Sequence, residues 1–294
     1  MAIFSAILNF LWGIIATPVS MKLSRTFRLM DVPGGRKKHL AVTPRGAGIV
    51  LWTGYLLWAL VNPNPGVEVP YVASGATLVF LVGYMDDMHP LPPLKRLTVH
   101  ILAAAWITLQ LEAPLYQKLM LMLWIAGCTS AYNFVDGMDG LALSLAFVTS
   151  YLAYRGGNPY TWMPFCGLIA GVLIWNFPHA RTFLGDGGAT LLGYVCSSHL
   201  AWDISPRFFN MGPLPMALIL LLVGGVPVID TLAAMIRRMA CGKSPFRPDR
   251  GHAHHILLDR KLAAWQVLSL LVLAHASFVG AGYYTLHVYV KSGP

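Results

Sequence analysis

Most of the twelve Asp and Glu residues in this 294-residue chain fall in five short stretches that also hold Lys, Arg, His and Gly. The first runs from Asp31 through Gly34-Gly35-Arg36-Lys37-Lys38-His39 to Thr43-Pro44-Arg45-Gly46. The second is Asp86-Asp87, with Lys95-Arg96 shortly after. The third is Asn133-Phe134-Val135-Asp136-Gly137-Met138-Asp139-Gly140. The fourth runs from Asn176 to Phe183-Leu184-Gly185-Asp186-Gly187-Gly188, and the fifth is Pro248-Asp249-Arg250-Gly251-His252-Ala253-His254-His255. Carboxylates and amide oxygens suit a hard divalent cation, while cations beside glycine-exposed backbone amides suit phosphate oxygens.

Each stretch also has a plainer reading. Adjacent carboxylates repel unless a cation holds them, so Asp86-Asp87 invites Mg²⁺, but Lys95 and Arg96 can serve as structural partners. Asp136 and Asp139 are three apart and share a face if they open the sixth helix, where one of them can simply cap it. Asp186 stands ahead of the eighth helix, where Gly187 and Gly188 would expose backbone donors. Phe183 can stack on a base or anchor in a membrane interface. Three His in four residues raise zinc, yet no thiolate is near and the neighbouring acids are oxygen donors, so His and Arg here suit a diphosphate better. For Lys38, His39 and Arg45 a phosphate role stands beside that of a basic membrane anchor.

The elements that must position these residues are apolar. The chain is 56% hydrophobic and 11% charged, against about 25% charged for an ordinary soluble protein. This excludes a soluble globular class. Apolar runs cover 2–21, 46–61, 70–85, 97–111, 116–132, 140–154, 161–177, 188–204, 213–233 and 264–290, which predicts an all-α polytopic membrane protein of about ten transmembrane helices in one domain, 1–294. Of the 21 Lys and Arg, all but Lys118, Arg155, Arg207 and Lys291 fall in odd-numbered connections, which places those in the cytoplasm and both termini outside. An Asp within a span costs roughly 2.5 to 3.5 kcal/mol even on the lenient insertion scale, so acids gathered at one face mark a functional site there. Asp230, inside the ninth run, is expected to pair with Arg237 or Arg238. The four cysteines form no CxxC pair, and neither disulfide nor zinc site is expected. Basic residues that flank spans argue against nucleic-acid binding.

Together the five stretches resemble the polyprenyl-phosphate N-acetylhexosamine-1-phosphate transferases, glycosyltransferase family 4. Asp-Asp after the third run, Asn-x-x-Asp-Gly-x-Asp-Gly before the sixth, Phe-x-Gly-Asp before the eighth and Pro-Asp-Arg-x-His-x-His-His after the ninth occur in the family's order. His255 is followed by Ile256 and Leu257 rather than by the x-Glu of peptidoglycan-type members, and Pro248-Asp249-Arg250 is similar to the N-acetylglucosamine-type branch of the enterobacterial-antigen initiating enzyme.

The resemblance implies transfer of an N-acetylamino-sugar 1-phosphate from a UDP-sugar to undecaprenyl or another polyprenyl phosphate. It implies Mg²⁺, with Mn²⁺ as a substitute, release of UMP, and a multi-pass enzyme of the bacterial inner membrane that starts a cell-surface polysaccharide; a homodimer stays open. By the same resemblance Asp86, Asp87, Asp136, Asp139 and Asp186 are catalytic, with Asp186, Asp87 and Asp136 toward the metal. Asn133, Asn176, Phe183, His252, His254 and His255 would bind substrate, Asn176 and Phe183 at the uridine and the three histidines at the diphosphate, while on their own chemistry Lys38, His39, Arg45 and Arg250 are expected to bind phosphate. The alternatives are the phospho-MurNAc-pentapeptide transferase of peptidoglycan synthesis and, from another class, an ion-coupled transporter. A transporter would set its acids near the bilayer midplane on broken helices and usually show inverted repeats.

Overall fold

The computed structural model describes residues 1–27, 29–31, 42–62, 66–245, 249 and 251–292. Lys38, His39 and Arg250 lie outside the described residues. Of the described residues, 79% are helical. Among the described residues, ten helices lie over the ten apolar runs: α1 (Ala2–Thr26), α2 (Ala47–Val61), α3 (Val69–Met88), α4 (Pro93–Thr108), α5 (Leu115–Val135), α6 (Leu141–Tyr154), α7 (Pro159–Asn176), α8 (Gly185–Ile204), α9 (Pro213–Ala240) and α11 (Ala264–Ser292). A short α10 (Ala253–Asp259) and a two-residue antiparallel ribbon, β1 (Met30–Asp31) with β2 (Thr43–Pro44), complete the frame. By length and composition α1, α3, α9 and α11 can each cross a membrane, and the chain is a multi-pass membrane protein.

Proline at the first or second position starts α3, α4, α7 and α9, where its missing N–H costs nothing. Asn158 also caps α7 by accepting the Tyr160 amide at 2.9 Å. Several helices run past their apolar stretch into charged sequence. α3 continues through Asp86 and Asp87, and α9 through Arg237 and Arg238.

At the centre stands α8, buried without a break from Gly187 to Ala201. It packs most extensively on α3 and α5, with α2 and α6 also against it, while α1 lies on α7 and α9 on α11. A helix buried on all sides must be apolar or small all round, and α8 supplies Gly187, Gly188, Ala189 and Gly193 to its neighbours. Gly187 meets Gly83 of α3, and Gly188 meets Gly48 of α2, with no side chain between the backbones. Asp87 is four residues on from Gly83, on the same face one turn later. The glycine contact therefore brings Asp87 beside the head of α8.

Candidate active site

The five polar stretches meet at one end of the bundle, around a cleft of about 750 Å³. Asp87, Asp136, Asp139 and Asp186 line it, with Arg45, Asn133, Asn176, Phe183 and His255. The cation pairing is specific. Arg45 reaches Asp31 at 2.6 Å and Asp87 at 2.9 Å, while Arg96 grips Asp86 and lies 3.0 Å from Asp186. Asp86 also accepts the Leu91 amide, and Asp87 accepts the Gly187 amide at 3.2 Å. Gly187 thus spends its N–H on Asp87, and Gly188 is buried against Gly48, so neither offers the open anion cradle expected from the sequence.

The third stretch also differs from expectation. Asp136 caps the C-terminus of α5, and α6 begins only at Leu141, behind Gly140 at φ 74°. Neither Asp opens the sixth helix. Gly140, at a positive φ that glycine enters freely, turns the chain into α6, and Asp136 and Asp139 before it line the cleft. Asn176 Oδ1 accepts the Gly140 amide at 2.9 Å, and its Nδ2 donates to the Thr182 carbonyl at 2.7 Å. Asn176 thereby ties the third stretch to the fourth, with its amide group engaged on both sides. Asp139 adds a second tie by accepting the Ala180 amide at 2.9 Å. The first stretch joins through backbone: Phe183 N donates to Pro44 O at 2.9 Å, and Ala47 N to Phe183 O at 3.2 Å.

Electrostatics set Asp136 apart. Burial, then the nearby carboxylates of Asp186, Asp87 and Asp139, push its carboxyl up to about 8. Like charges around one cleft are unfavourable unless a cation or a proton offsets them. Asp87, Asp136 and Asp186 are oxygen donors suited to a hard cation. Among the described residues, no three His, Cys, Asp or Glu side chains are gathered closely enough to hold a metal by themselves. The set is open, with room for ligands from a bound diphosphate.

The histidine segment divides. His255 lines the cleft. His252, 7% exposed, donates from Nδ1 to Asp230 at 2.8 Å, and its Nε2 faces Arg238 Nη2 at 3.3 Å. Both ring nitrogens therefore have partners within the protein. His254, 1% exposed, packs on Gly137, where a Cβ would collide with its ring. Asp230 pairs with His252 and the Ala253 amide instead of with an arginine. Arg237 and Arg238 go to Asp249, which they hold well below the usual carboxylate range, Arg238 foremost.

Sequence reasoning gave no site role to Asp31, His179 or Trp265, which line the cleft, and it paired Arg96 with Asp86-Asp87 without a hint that Arg96 also reaches Asp186. Arg45 and Asp31 are fourteen residues apart, and Arg96 and Asp186 ninety apart, so no spacing rule reports either contact.

The family profile described as glycosyl transferase family 4 matches residues 69–202. A decaprenyl-phosphate N-acetylglucosaminephosphotransferase of Mycolicibacterium smegmatis is 30% identical, across 81% of this chain and 70% of the relative. An undecaprenyl-phosphate alpha-N-acetylglucosaminyl 1-phosphate transferase of Thermotoga maritima is 29% identical, across 87% of this chain and 81% of the relative. A probable undecaprenyl-phosphate N-acetylglucosaminyl 1-phosphate transferase of Bacillus subtilis is 27% identical, across 93% and 81%. The matched segment holds Asp86, Asp87, Asp136, Asp139 and Asp186, all at the one end of the bundle, and the chain belongs to the polyprenyl-phosphate N-acetylglucosamine-1-phosphate transferases of glycosyl transferase family 4.

Proposed function

We propose that the cleft transfers N-acetylglucosamine 1-phosphate from UDP-N-acetylglucosamine to a polyprenyl phosphate, releasing UMP. The observation that carries this reading is that Asp87, Asp136 and Asp186, from three different helix ends, line one cleft with Asn133, Phe183 and His255. The relatives' names give the acceptor as undecaprenyl or decaprenyl phosphate and the sugar as N-acetylglucosamine, and no peptidoglycan-type His-His-x-Glu follows here. Ten spans, with the cleft at the cytoplasmic face of the bacterial inner membrane, agree with the Lys and Arg distribution and with where the alternate helices begin and end. Acids gathered at one end of the bundle do not fit a transporter's midplane site.

In the reaction, an oxygen of the lipid phosphate bonds to the β-phosphorus of the donor, and the bond from that phosphorus to the bridging oxygen breaks, leaving UMP. A phosphate monoester has a second pKa of about 6 and is mostly dianionic at pH 7, so a general base has little proton to remove. Asp86 and Asp87, fixed by Arg96 and Arg45, act by holding the reacting groups in place. Asp186, Asp87 and Asp136 offer oxygen donors that would share a Mg²⁺ with a bound diphosphate, and such an ion would supply neutralisation of the charge that develops there. Phe183 offers a ring to the uracil, and Arg45 and His255 offer polar groups to the phosphates. Asn176 and Asp139 hold the loops that present them.

Purified protein, polyprenyl phosphate, Mg²⁺ and a panel of UDP-sugars test this by UMP release. Lipid-dependent release with UDP-N-acetylglucosamine is expected; no release with any donor would reject the reading.

A further inference from the structure

Part-way along α9 the helix is broken. Gly225 sits at φ 60° and ψ −151°, a region essentially reserved for glycine, and Pro227 follows. A break inside an apolar helix strands backbone groups that lipid cannot satisfy, so a neighbouring helix must supply partners. Here α11 does so. His275, fully buried, accepts the Val226 N–H at Nδ1 over 3.2 Å. Its Nε2 lies 2.8 Å from Thr149 Oγ1 of α6, which in turn faces the Tyr132 hydroxyl of α5 at 3.4 Å. With Nδ1 accepting, the proton sits on Nε2 and is donated to Thr149, so the two contacts fix one neutral tautomer. The fit is tight: a Cβ on Gly225 would collide with the His275 ring.

The part of α9 beyond the break is the arm that carries the histidine segment. Asp230, about one turn past the break, accepts both His252 Nδ1–H and the Ala253 amide at 2.8 Å. Arg238 binds Asp249 and the Pro245 carbonyl further along the same arm. The segment so held leads into α10, whose His255 lines the cleft. The direction in which the Val226 N–H points therefore sets where His255 arrives.

We infer that His275 is a positioning residue for the transfer reaction, fixing the angle of the broken α9 and through Asp230 the place of His255 in the cleft. The inference rests on the proposed function, since it assigns His275 to that reaction. Its test has one readout that does not depend on activity. Spin labels on exposed Cys241, at the end of the arm, and on Lys95→Cys, with Cys166→Ser to prevent stray labelling, report the arm's position by pulsed EPR. His275→Leu removes the acceptor and is expected to shift or broaden the distance. His275→Asn, whose oxygen can take the Val226 N–H, is expected to keep it narrow. The leucine variant should also lose on the order of tenfold to a hundredfold in kcat, as small misplacements of a catalytic group do, with donor KM nearly unchanged and recovery in the asparagine variant. Combined with Asp230→Asn, the kcat losses should be less than additive, because both act through one arm. Thr149→Val removes the tautomer-fixing acceptor and should give the same shift in smaller degree, which serves if the leucine variant does not fold. Unchanged distances, or additive losses, would overturn the inference. A wild-type protein that releases no UMP would overturn the proposed function while leaving the distance result standing.

Discussion

Arg96 Nη1 of α4 lies 3.0 Å from Asp186, ninety residues away, and also grips Asp86, so one guanidinium joins the end of α3 to the head of α8. Arg96→Gln leaves two neighbouring carboxylates without their shared cation. Hydrogen bonds to charged groups contribute about 1.5–3 kcal/mol, and because the Arg96–Asp186 contact is partly open to solvent the lower end is expected. The variant should melt several degrees below wild type and lose most of its turnover. Added Mg²⁺ should restore part of the stability, which thermal melts with and without the metal will show.

If Asp86 and Asp87 position groups rather than take a proton, Asp86→Asn and Asp87→Asn should lower kcat to a similar degree at every pH from about 6 to 9, because the acceptor phosphate is already mostly ionised above its second pKa of about 6. A rate recovered at high pH would assign one of them as a base. A rate near wild type would make both structural.

Asp136 gives a stability signature. In the folded chain its carboxyl takes up a proton at about 8, whereas in the unfolded chain it does so near its ordinary value of about 4. The folded state therefore binds more protons between those values, and this residue's contribution to stability falls as pH rises through that window. Asp136→Asn removes the fall. In metal-free buffer the variant's Tm should exceed wild type at pH 8, with the gap shrinking toward pH 5, and Mg²⁺ should narrow it at pH 8. A gap independent of pH would contradict the like-charge account.

The histidines should separate by phenotype. His252→Ala breaks its bond to Asp230 inside the protein and should cost about 2 kcal/mol of stability. His255→Ala, at the cleft, should leave Tm close to wild type and lower kcat on the order of a hundredfold, the scale of removing one preorganised polar group. Paired melting curves and turnover measurements distinguish the two.

Much of this arrangement was legible in the residue order. Among the described residues the ten apolar runs lie under ten helices, and the described parts of the five acid-bearing stretches share one end, because hydropathy and cation placement act locally along the chain. The helix ends were less legible: α3 and α9 extend past their apolar stretches, and it is there that Asp86, Asp87, Arg237 and Arg238 sit. A window that seeks apolar residues stops short of them. Asp136 and Asp139 were misplaced because α5 runs to Val135 and α6 starts only behind Gly140, whose positive φ is a conformation that glycine permits but does not announce. Asp230 and His252, Arg45 and Asp31, and Arg96 and Asp186 are tertiary contacts whose partners only the packed bundle selects.

The most direct test compares wild type with Asp186→Asn for UMP release from UDP-N-acetylglucosamine in the presence of polyprenyl phosphate and Mg²⁺. Asp186 heads the central helix beside Asp87, and both line the cleft with Asp136. Wild type is expected to release one UMP for each lipid diphospho-sugar formed. The variant, folded as judged by its melting curve, should be slower on the order of a hundredfold or more, the scale of removing a preorganised electrostatic group. Equal rates in the two proteins, or release that does not depend on the lipid, would contradict the account.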